Sequence, residues 1–253
     1  MLVGRERTTR KPCERFWSLA AVFAIAATIS GCSSPFSTLE PAGPAAGSIA
    51  SLWWVMLIGA SLLLALIAVL VALAFVRPGA GRNTPASVWI VGGGLVLPGV
   101  VLTPLMIYAL ASGERLFQAR AEAVMQVDVL ARRWEWVFTY RAADGTMRRS
   151  NDVLHIPAGQ PVLLHITSAD VIHSFWVPRL AGKIDATPGH STMLRLSADA
   201  AGRYRGLCSE FCGAGHLEMQ MIVEAHASEE EFRKVIDQLP QVNAGEAVTG
   251  TRL

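Results

Sequence analysis

The chain has 253 residues, of which 52% are hydrophobic, and a formal net charge of +2. Its mean hydropathy of +0.38 is too high for an ordinary soluble domain and indicates membrane segments together with one modest globular domain. A nucleic-acid-binding protein would carry a concentrated basic face, and basic residues concentrate only at the extreme N-terminus. We therefore expect a membrane partner and no nucleic-acid partner.

The N-terminal segment has the three-part layout of a secretory signal. Basic residues precede an apolar stretch, Phe16–Ile29, which is too short to span a bilayer comfortably. The small residues directly before Cys32 resemble the lipobox of bacterial lipoproteins, in which the cysteine is acylated. We predict a lipoprotein-type signal peptide over 1–31 and a lipid anchor at Cys32. A plain signal or a short first anchor is the alternative interpretation.

Two apolar runs follow a linker at 32–48 that is rich in Ser, Pro, Gly and Ala. The runs extend over 49–76 and 88–110, and each is long enough for a bilayer core of about 30 Å. The short loop between them contains Arg77 and Arg82 and no acidic residue, which favours a cytoplasmic turn. We predict a hairpin of two transmembrane helices. A pair of buried core helices is the alternative, but the lengths and the lack of charge disfavour it.

The second half of the chain consists of short strand-like pieces separated by Gly and Pro turns. This texture predicts a β-sandwich or barrel over 120–227. Ser228 with Glu231 is typical of a capping box and predicts a short helix at 228–240, followed by a flexible tail at 241–253. The predicted fold class is a membrane-anchored all-β protein, with a two-helix hairpin before the β domain and a short C-terminal helix after it.

A dozen residues late in the β domain, CSEFCGAGHLEM at 208–219, contain two thiols, an imidazole and a thioether. Soft sulfur ligands with imidazole suit copper or zinc. A disulfide between Cys208 and Cys212 is natural in an exported domain, but it would leave His216 and Met219 unexplained. Zinc favours four strong ligands, and methionine is a poor one. Copper is the third interpretation: one cysteine with a histidine and a weak methionine would suggest a mononuclear blue-copper site, and the second cysteine allows two thiolates to bridge two copper ions.

A two-copper site needs a second imidazole from elsewhere in the chain. His173 lies between two predicted strands, where a loop could direct it towards the 208–219 segment. The remaining histidines of the β domain have no comparable context, and we interpret them as ordinary: His155, His165, His190 and His226.

The segment around His173 and the 208–219 motif together resemble subunit II of cytochrome c oxidase, a family with a dinuclear copper centre called CuA. The resemblance covers nearly everything after the linker and implies a cupredoxin-like β domain. It also implies two bridging thiolates, two imidazoles, one weak thioether ligand and one weak backbone carbonyl ligand. These would come, in that order, from Cys208 and Cys212, His173 and His216, Met219, and Glu210.

The resemblance implies two further roles. The side chain of Glu210 would reach a magnesium site shared with subunit I. Trp134, within the run 133–136, corresponds to the tryptophan through which the family accepts electrons from cytochrome c. The alternative for Trp134 and Trp136 is that both line one face of a strand. The segment 180–189 is similar to the family's interface with subunit I.

The implied function is that of an electron-accepting subunit of a proton-translocating respiratory oxidase in the bacterial inner (plasma) membrane, with the β domain in the periplasm. Cytochrome c would donate electrons, and subunits I and III would be partners. Subunit I would reduce oxygen to water, and this chain would not be active alone. One departure from the family is that Gly47 or Ser48 stands where a glutamate often marks the mouth of a proton channel.

Two alternative functions belong to other classes of protein. A copper-free structural subunit of a quinol oxidase would not need the thiol and imidazole ligands. A membrane-anchored copper chaperone or thiol reductase would resemble thioredoxin and usually has proline after the second cysteine, whereas Gly213 follows Cys212.

Overall fold

The computed structural model describes residues 34–77, 79, 81, 83–118 and 125–242. Predicted features outside these residues are the signal peptide at 1–31, the lipid anchor at Cys32, Arg82 in the helix loop, and the tail from 243 onwards. In the described part, two apolar helices precede two β-sheets and a short helix, so the predicted fold class is confirmed.

The first helix, α1 (Pro44–Val76), begins before the predicted start at 49. Proline is favoured in the first turn of a helix because its missing amide hydrogen would have no partner there. The helix has 33 residues and contains a stretch with a mean hydropathy of 2.9. At 1.5 Å per residue it extends over about 50 Å, which is more than a bilayer core requires. Gly47 and Ser48 lie near its start.

The second apolar helix opens with a π-helical segment, Val88–Val96, and continues as α2 (Leu97–Gln118). The apolar span Val88–Gly113 has a mean hydropathy of 2.1. Three glycines precede Pro98, which has no amide hydrogen, and such sequences depart readily from the α-helical bonding pattern. The helix extends past the predicted end at 110. Both helices are long and apolar enough to cross a membrane, as a membrane-anchored chain requires.

Eleven strands follow in the described residues, and they form two sheets. Their bounds, from β1 to β11, are Met125–Arg132, Glu135–Arg141, Met147–Asn151, Val153–Pro157, Val162–Ser168, His173–Trp176, Ile184–Ala186, Thr192–Leu196, Gly202–Cys208, Gln220–His226 and Gln241–Val242. The first sheet has the order β11-β3-β2-β1-β5-β8 and the second β4-β10-β9-β6-β7. The pairs β1–β5 and β4–β10 are parallel, and the others are antiparallel.

One hydrophobic core lies between the sheets. Strand β1 shows why, because its buried residues alternate with more exposed ones along the strand, as the pleat of a half-buried strand requires. Both sheets contribute large side chains that are wholly buried, among them Trp136, Phe138, Leu154, Ile156, Leu164 and Phe175. The domain is therefore a β-sandwich, as predicted.

The C-terminal helix, α3 (Glu229–Gln238), has the predicted capping interactions. The hydroxyl of Ser228 accepts a hydrogen bond from the Glu231 amide at 3.1 Å. The Glu231 carboxylate accepts one from the Ala227 amide at 3.2 Å. Strand β11 then pairs with β3. The first two residues of the tail that was predicted to be flexible, Gln241 and Val242, therefore form an ordered strand.

The start of α1 is attached to the β domain. The amide of Ala46 donates a hydrogen bond to the Leu180 carbonyl at 3.2 Å. Gly43, which precedes the helix, lies so close to the domain that a Cβ there would be 2.4 Å from the Ser197 carbonyl oxygen. The C-terminal end of the predicted linker is thus a packed contact, and part of the segment 180–189 is covered by this chain's own helix.

We expect Gly43→Ala to destabilise the protein. The added methyl group would overlap a backbone oxygen, which cannot move as a flexible side chain can, and overpacking of this kind costs about 1–3 kcal/mol. Thermal unfolding of the detergent-solubilised chain should therefore begin at a lower temperature. Gly47→Ala is the matched control, because no atom lies within 4 Å of a Cβ there. Equal melting temperatures for the two variants would contradict this packing.

Candidate metal centre

The candidate metal centre lies where β6 meets the loop between β9 and β10. Cys208 is the last residue of β9, and the loop that follows it carries Cys212. Because β6 pairs with β9 and Phe175 is opposite Cys208, His173 at the start of β6 lies beside this loop. Two segments that are far apart in sequence thus meet at one end of the second sheet.

Each thiol has an imidazole nitrogen next to it. The Cys208 Sγ is 3.8 Å from the Nδ1 of His173, and the Cys212 Sγ is 3.7 Å from the Nδ1 of His216. The two sulfur atoms are 3.9 Å apart and both cysteines are free. A disulfide bond would require about 2.05 Å. The disulfide alternative therefore does not describe this arrangement, and two sulfur–nitrogen pairs face each other.

The two predicted weak ligands complete the same arrangement. The Met219 Sδ lies 3.9 Å from the Cys212 Sγ. The Cys208 thiol donates a hydrogen bond to the Glu210 carbonyl, with 3.2 Å between sulfur and oxygen. All six groups named as copper ligands from the sequence are therefore brought together, while the side chain of Glu210 is exposed.

Asp170 holds His173 in one orientation. The Nε2 of His173 is 2.8 Å from the Asp170 carboxylate, which can only accept a hydrogen bond, so this nitrogen carries the proton. In the neutral imidazole, the Nδ1 that faces Cys208 is then the nitrogen with the lone pair, which is the form that binds a metal. Sequence reasoning missed this role, although a carboxylate three residues before the histidine was an available signal.

The same carboxylate also fixes the turn next to Trp134. The other oxygen of Asp170 accepts a hydrogen bond from the Arg133 amide at 2.8 Å. Partial burial acts to raise the pKa of Asp170, but the hydrogen bonds from His173 and from the Arg133 and Val171 amides outweigh it and lower the pKa. Asp170 is therefore ionised at neutral pH and connects His173 to the β1–β2 turn.

In the absence of a metal ion, the Cys212 thiol is a weaker acid than an ordinary cysteine thiol. Burial, together with the negative charge that Cys208 would carry, raises the pKa of Cys212 to about 11. The thiol is therefore protonated at neutral pH. Metal ligands must be deprotonated, so metal binding at this loop would release a proton from Cys212.

Trp134 lies directly against the loop. Its indole Nε1 donates a long hydrogen bond, 3.4 Å, to the Cys212 carbonyl. A Cβ at Gly215 would be only 2.5 Å from the Trp134 ring, and Gly213 has a φ of +119°, which favours glycine. The loop glycines therefore permit both the tight turn and the close approach of the indole.

The two tryptophans of the 133–136 run have different environments. Trp134 precedes β2 and is 43% exposed, whereas Trp136 in β2 is fully buried. The Trp136 ring meets Phe175 edge-on at 5.4 Å and His173 at 6.3 Å between ring centroids. The two indoles therefore do not line one face of a strand, and of the two it is Trp134 that reaches from the 208–219 loop to the surface.

The interpretation of His155 and His226 as ordinary histidines overlooked a buried contact between them. The Nδ1 of His155 is 3.1 Å from the Nε2 of His226. Burial and the neighbouring His226 lower the pKa of His155. No sequence signal could have paired these residues, because they meet only through the parallel pairing of β4 with β10.

Comparisons with known proteins find similarity to subunit II of respiratory oxidases. Residues 139–226 match the family model for the periplasmic domain of cytochrome C oxidase subunit II. Cytochrome c oxidase subunit 2 of Synechocystis sp. is 39% identical over 106 residues, which cover 42% of this chain and 31% of that protein. Quinol oxidase subunit 2 of Bacillus anthracis is 27% identical over 247 residues, which cover 89% of this chain and 81% of that protein.

Among solved structures, the periplasmic domain of subunit II of cytochrome oxidase from Bradyrhizobium japonicum covers 47% of this chain and 94% of its own, with 24% identity and a TM-score of 0.43. Over its β domain, the chain is similar to the periplasmic domain of subunit II of cytochrome c oxidases. It spans only about a third of the cytochrome c oxidase subunits from Synechocystis sp. and Thermostichus vulcanus, 31% and 30% of their lengths.

We expect Gly215→Val to displace Trp134 from the loop. The new side chain would occupy the space of the indole ring, so the ring must move into solvent. The emission that Trp134 contributes should then shift to longer wavelength. The Trp134 contribution is the difference between the emission spectrum of a variant and that of the same variant with Trp134→Phe added.

Ala214→Val is the control for this substitution, because Ala214 is an exposed residue of the same loop. Its difference spectrum should match that of the unmodified chain. An unchanged Trp134 contribution in Gly215→Val would contradict the contact between the indole and the loop.

Proposed function

We propose that this chain is the electron-accepting subunit II of a cytochrome c oxidase and holds a dinuclear copper centre. The observation that carries the proposal is the pair of free thiols 3.9 Å apart, each with its own imidazole nitrogen at 3.7–3.8 Å. Copper held there would accept single electrons from cytochrome c and pass them towards the haem groups of subunit I, where oxygen is reduced to water.

The donor set fits two copper ions better than one zinc ion. A structural zinc site uses four strong nitrogen or sulfur ligands, and here two weak donors, the Met219 thioether and the Glu210 carbonyl, accompany the four strong ones. A blue-copper site would need only one cysteine. Two thiolates placed symmetrically between two imidazoles are suited to bridging a pair of ions.

The β domain would keep these ligands fixed while the charge of the centre changes. The Cys208 amide donates to the Met219 carbonyl at 2.9 Å, and the Ser209 amide donates to the Ser174 carbonyl at 2.9 Å. These bonds close the loop on itself and attach it to β6. Asp170 fixes the ring of His173. A rigid set of ligands would rearrange little when the centre gains or loses an electron. Partners of the ligands, such as Asp170, also tune the properties of the metal.

Trp134 is the residue through which we propose that electrons enter. Its indole is part-exposed and also bonded to the backbone of Cys212, so it reaches from the surface to a metal ligand. Two neighbouring loop residues, Phe211 and Leu217, are 77% and 79% exposed. Together they give an apolar surface on which a cytochrome c could dock beside the indole.

The second candidate function is that of a copper-free quinol oxidase subunit, and the similarity over 89% of the chain to a quinol oxidase subunit favours it. The retained thiols and imidazoles argue against it, because such a subunit has no need of them. The copper chaperone alternative is disfavoured by the β-sandwich, since those proteins resemble thioredoxin.

Further parts of the proposal concern placement and partners. The two apolar helices would anchor the chain in the bacterial inner membrane, with the β domain in the periplasm and a lipid at Cys32. Subunits I and III would be its neighbours in the complex. The exposed carboxylate of Glu210 would reach a magnesium ion shared with subunit I.

Copper loading of the purified full-length chain tests the centre. We expect two copper ions per chain, a purple colour and an electron paramagnetic resonance spectrum of one electron shared by two copper nuclei. Cys208→Ser should abolish that spectrum, because it removes one bridging thiolate. Ser209→Ala is the matched control, since the bond of Ser209 to β6 comes from its backbone amide, which the substitution keeps. A colourless, copper-free chain would contradict the proposal. If the purified complex oxidised quinol but not ferrocytochrome c, that result would favour the second candidate function.

Trp134→Phe should slow electron uptake from ferrocytochrome c and leave the copper spectrum intact. We expect a decrease of about tenfold, which corresponds to about 1.4 kcal/mol of activation free energy. The measurement is the stopped-flow rate of reduction of the copper-loaded chain. Met193→Leu, at an exposed apolar residue of β8, provides the control. An unchanged rate in Trp134→Phe would show that electrons enter elsewhere.

A further inference from the structure

A second group of metal-binding side chains lies at the other end of β10. His155 comes from β4, and Glu224 and His226 come from β10. The two strands are parallel with Glu224 opposite His155, and this register brings the three side chains together. One nitrogen or oxygen of each lies within 4.8 Å of the others. Met219, a candidate copper ligand, precedes the same strand, roughly 20 Å away along it.

The spacing of the donor atoms fits one small cation. The Nδ1 of His155 is 3.1 Å from the Nε2 of His226 and 3.7 Å from a Glu224 carboxylate oxygen. When a tetrahedral zinc ion binds ligand atoms at about 2.0–2.1 Å, any two of those ligand atoms are about 3.3–3.4 Å apart. These two distances lie on either side of that value, and the third, between His226 and Glu224, is within 4.8 Å, so a bound ion would draw the groups together.

The imidazoles are held in place by the surrounding structure. Both histidines are buried, at 7% and 6% exposure, and their rings stack with centroids 5.3 Å apart. The Tyr140 hydroxyl accepts a hydrogen bond from the His155 amide at 2.8 Å. Phe232 of α3 packs against the ring of His226. Rings fixed in this way lose little freedom when they bind a metal.

Glu231 favours the form of His226 that can bind a metal. One of its oxygens is held by the Ala227 amide, and the other is 3.7 Å from the Nδ1 of His226. A carboxylate beside Nδ1 favours a proton there, so Nε2 keeps the lone pair that accepts the hydrogen bond from His155. Both facing nitrogens can coordinate once the His155 proton has moved to the other nitrogen of its ring. The negative charges of Glu224 and Glu231 also balance the two positive charges of a divalent ion.

We propose that His155, Glu224 and His226 form a zinc site, separate from the sulfur-rich loop. Two imidazoles and a carboxylate suit Zn²⁺, and a water molecule would take the fourth position on the partly exposed side of Glu224. The group lacks sulfur, so it offers nothing that selects copper in the way the thiolates do. A zinc ion here would join β4 to β10 beside the start of α3, and the proposal does not depend on the copper centre.

The test uses the full-length chain in detergent, carrying Cys208→Ser and Cys212→Ser so that the thiols cannot bind zinc. Equilibrium dialysis against Zn²⁺ with elemental analysis should give one ion per chain. Glu224→Gln and His226→Gln should each weaken binding at least about tenfold, as loss of even an outer partner commonly does. Glu230→Gln, an exposed glutamate of α3 beside Glu231, should leave binding unchanged.

Circular dichroism without metal checks that each variant is folded. Glu224→Gln is the decisive variant, because the Glu224 side chain is 38% exposed and can be replaced without altering the buried core. Zn²⁺ should also raise the melting temperature of the parent chain and not that of Glu224→Gln. If the double serine background does not fold, the wild-type chain should bind one more zinc ion than its Glu224→Gln variant. No zinc uptake, or uptake that Glu224→Gln and His226→Gln do not change, would overturn the proposal.

Discussion

The antiparallel register between β6 and β9 is the constraint on which the candidate copper centre depends. Phe175 lies opposite Cys208, and this carries the imidazole of His173 to a thiol that lies 35 residues later in the chain. Side chains alternate between the faces of a strand, so a slip of one residue would place the imidazole on the opposite face of the sheet. The pairing that builds the sheet therefore also assembles the ligand set, and Asp170 then sets which nitrogen of His173 faces the sulfur.

Much of the fold and of the centre could be predicted from the sequence because the signals are local. The apolar runs and the short strands between turns predict the fold class, and most of the candidate copper ligands lie in one segment at 208–219. What could not be predicted depends on strand pairing. His155 and His226 are 71 residues apart and meet only because β4 joins β10 in parallel. Sequence periodicity identifies strands, but it does not say which strands become neighbours.

The packing around two glycines also could not be predicted from the sequence. The sequence reveals Gly43 and Gly215, but not that the first lies against the Ser197 carbonyl and the second beneath the Trp134 ring. The need for a residue without a side chain comes from what approaches it, and that is a property of the tertiary structure. The early start of α1 has a similar cause, since its first turn is held by the β domain.

The two candidate sites at the ends of β10 explain why overall similarity does not decide the function of this chain. The chain is similar over most of its length to a quinol oxidase subunit 2 and over part of its length to cytochrome c oxidase subunits 2, and one scaffold can carry different sites. The sulfur-rich loop at one end and the imidazole–carboxylate group at the other differ in the chemistry of their donor atoms, and hence in the metals they suit. Replacing Cys208 and Cys212 would remove the two thiolates that we propose as bridging ligands. Whether the chain accepts electrons from cytochrome c, as we propose, therefore depends on a few side chains on the scaffold, and the two thiols are the groups whose replacement tests it.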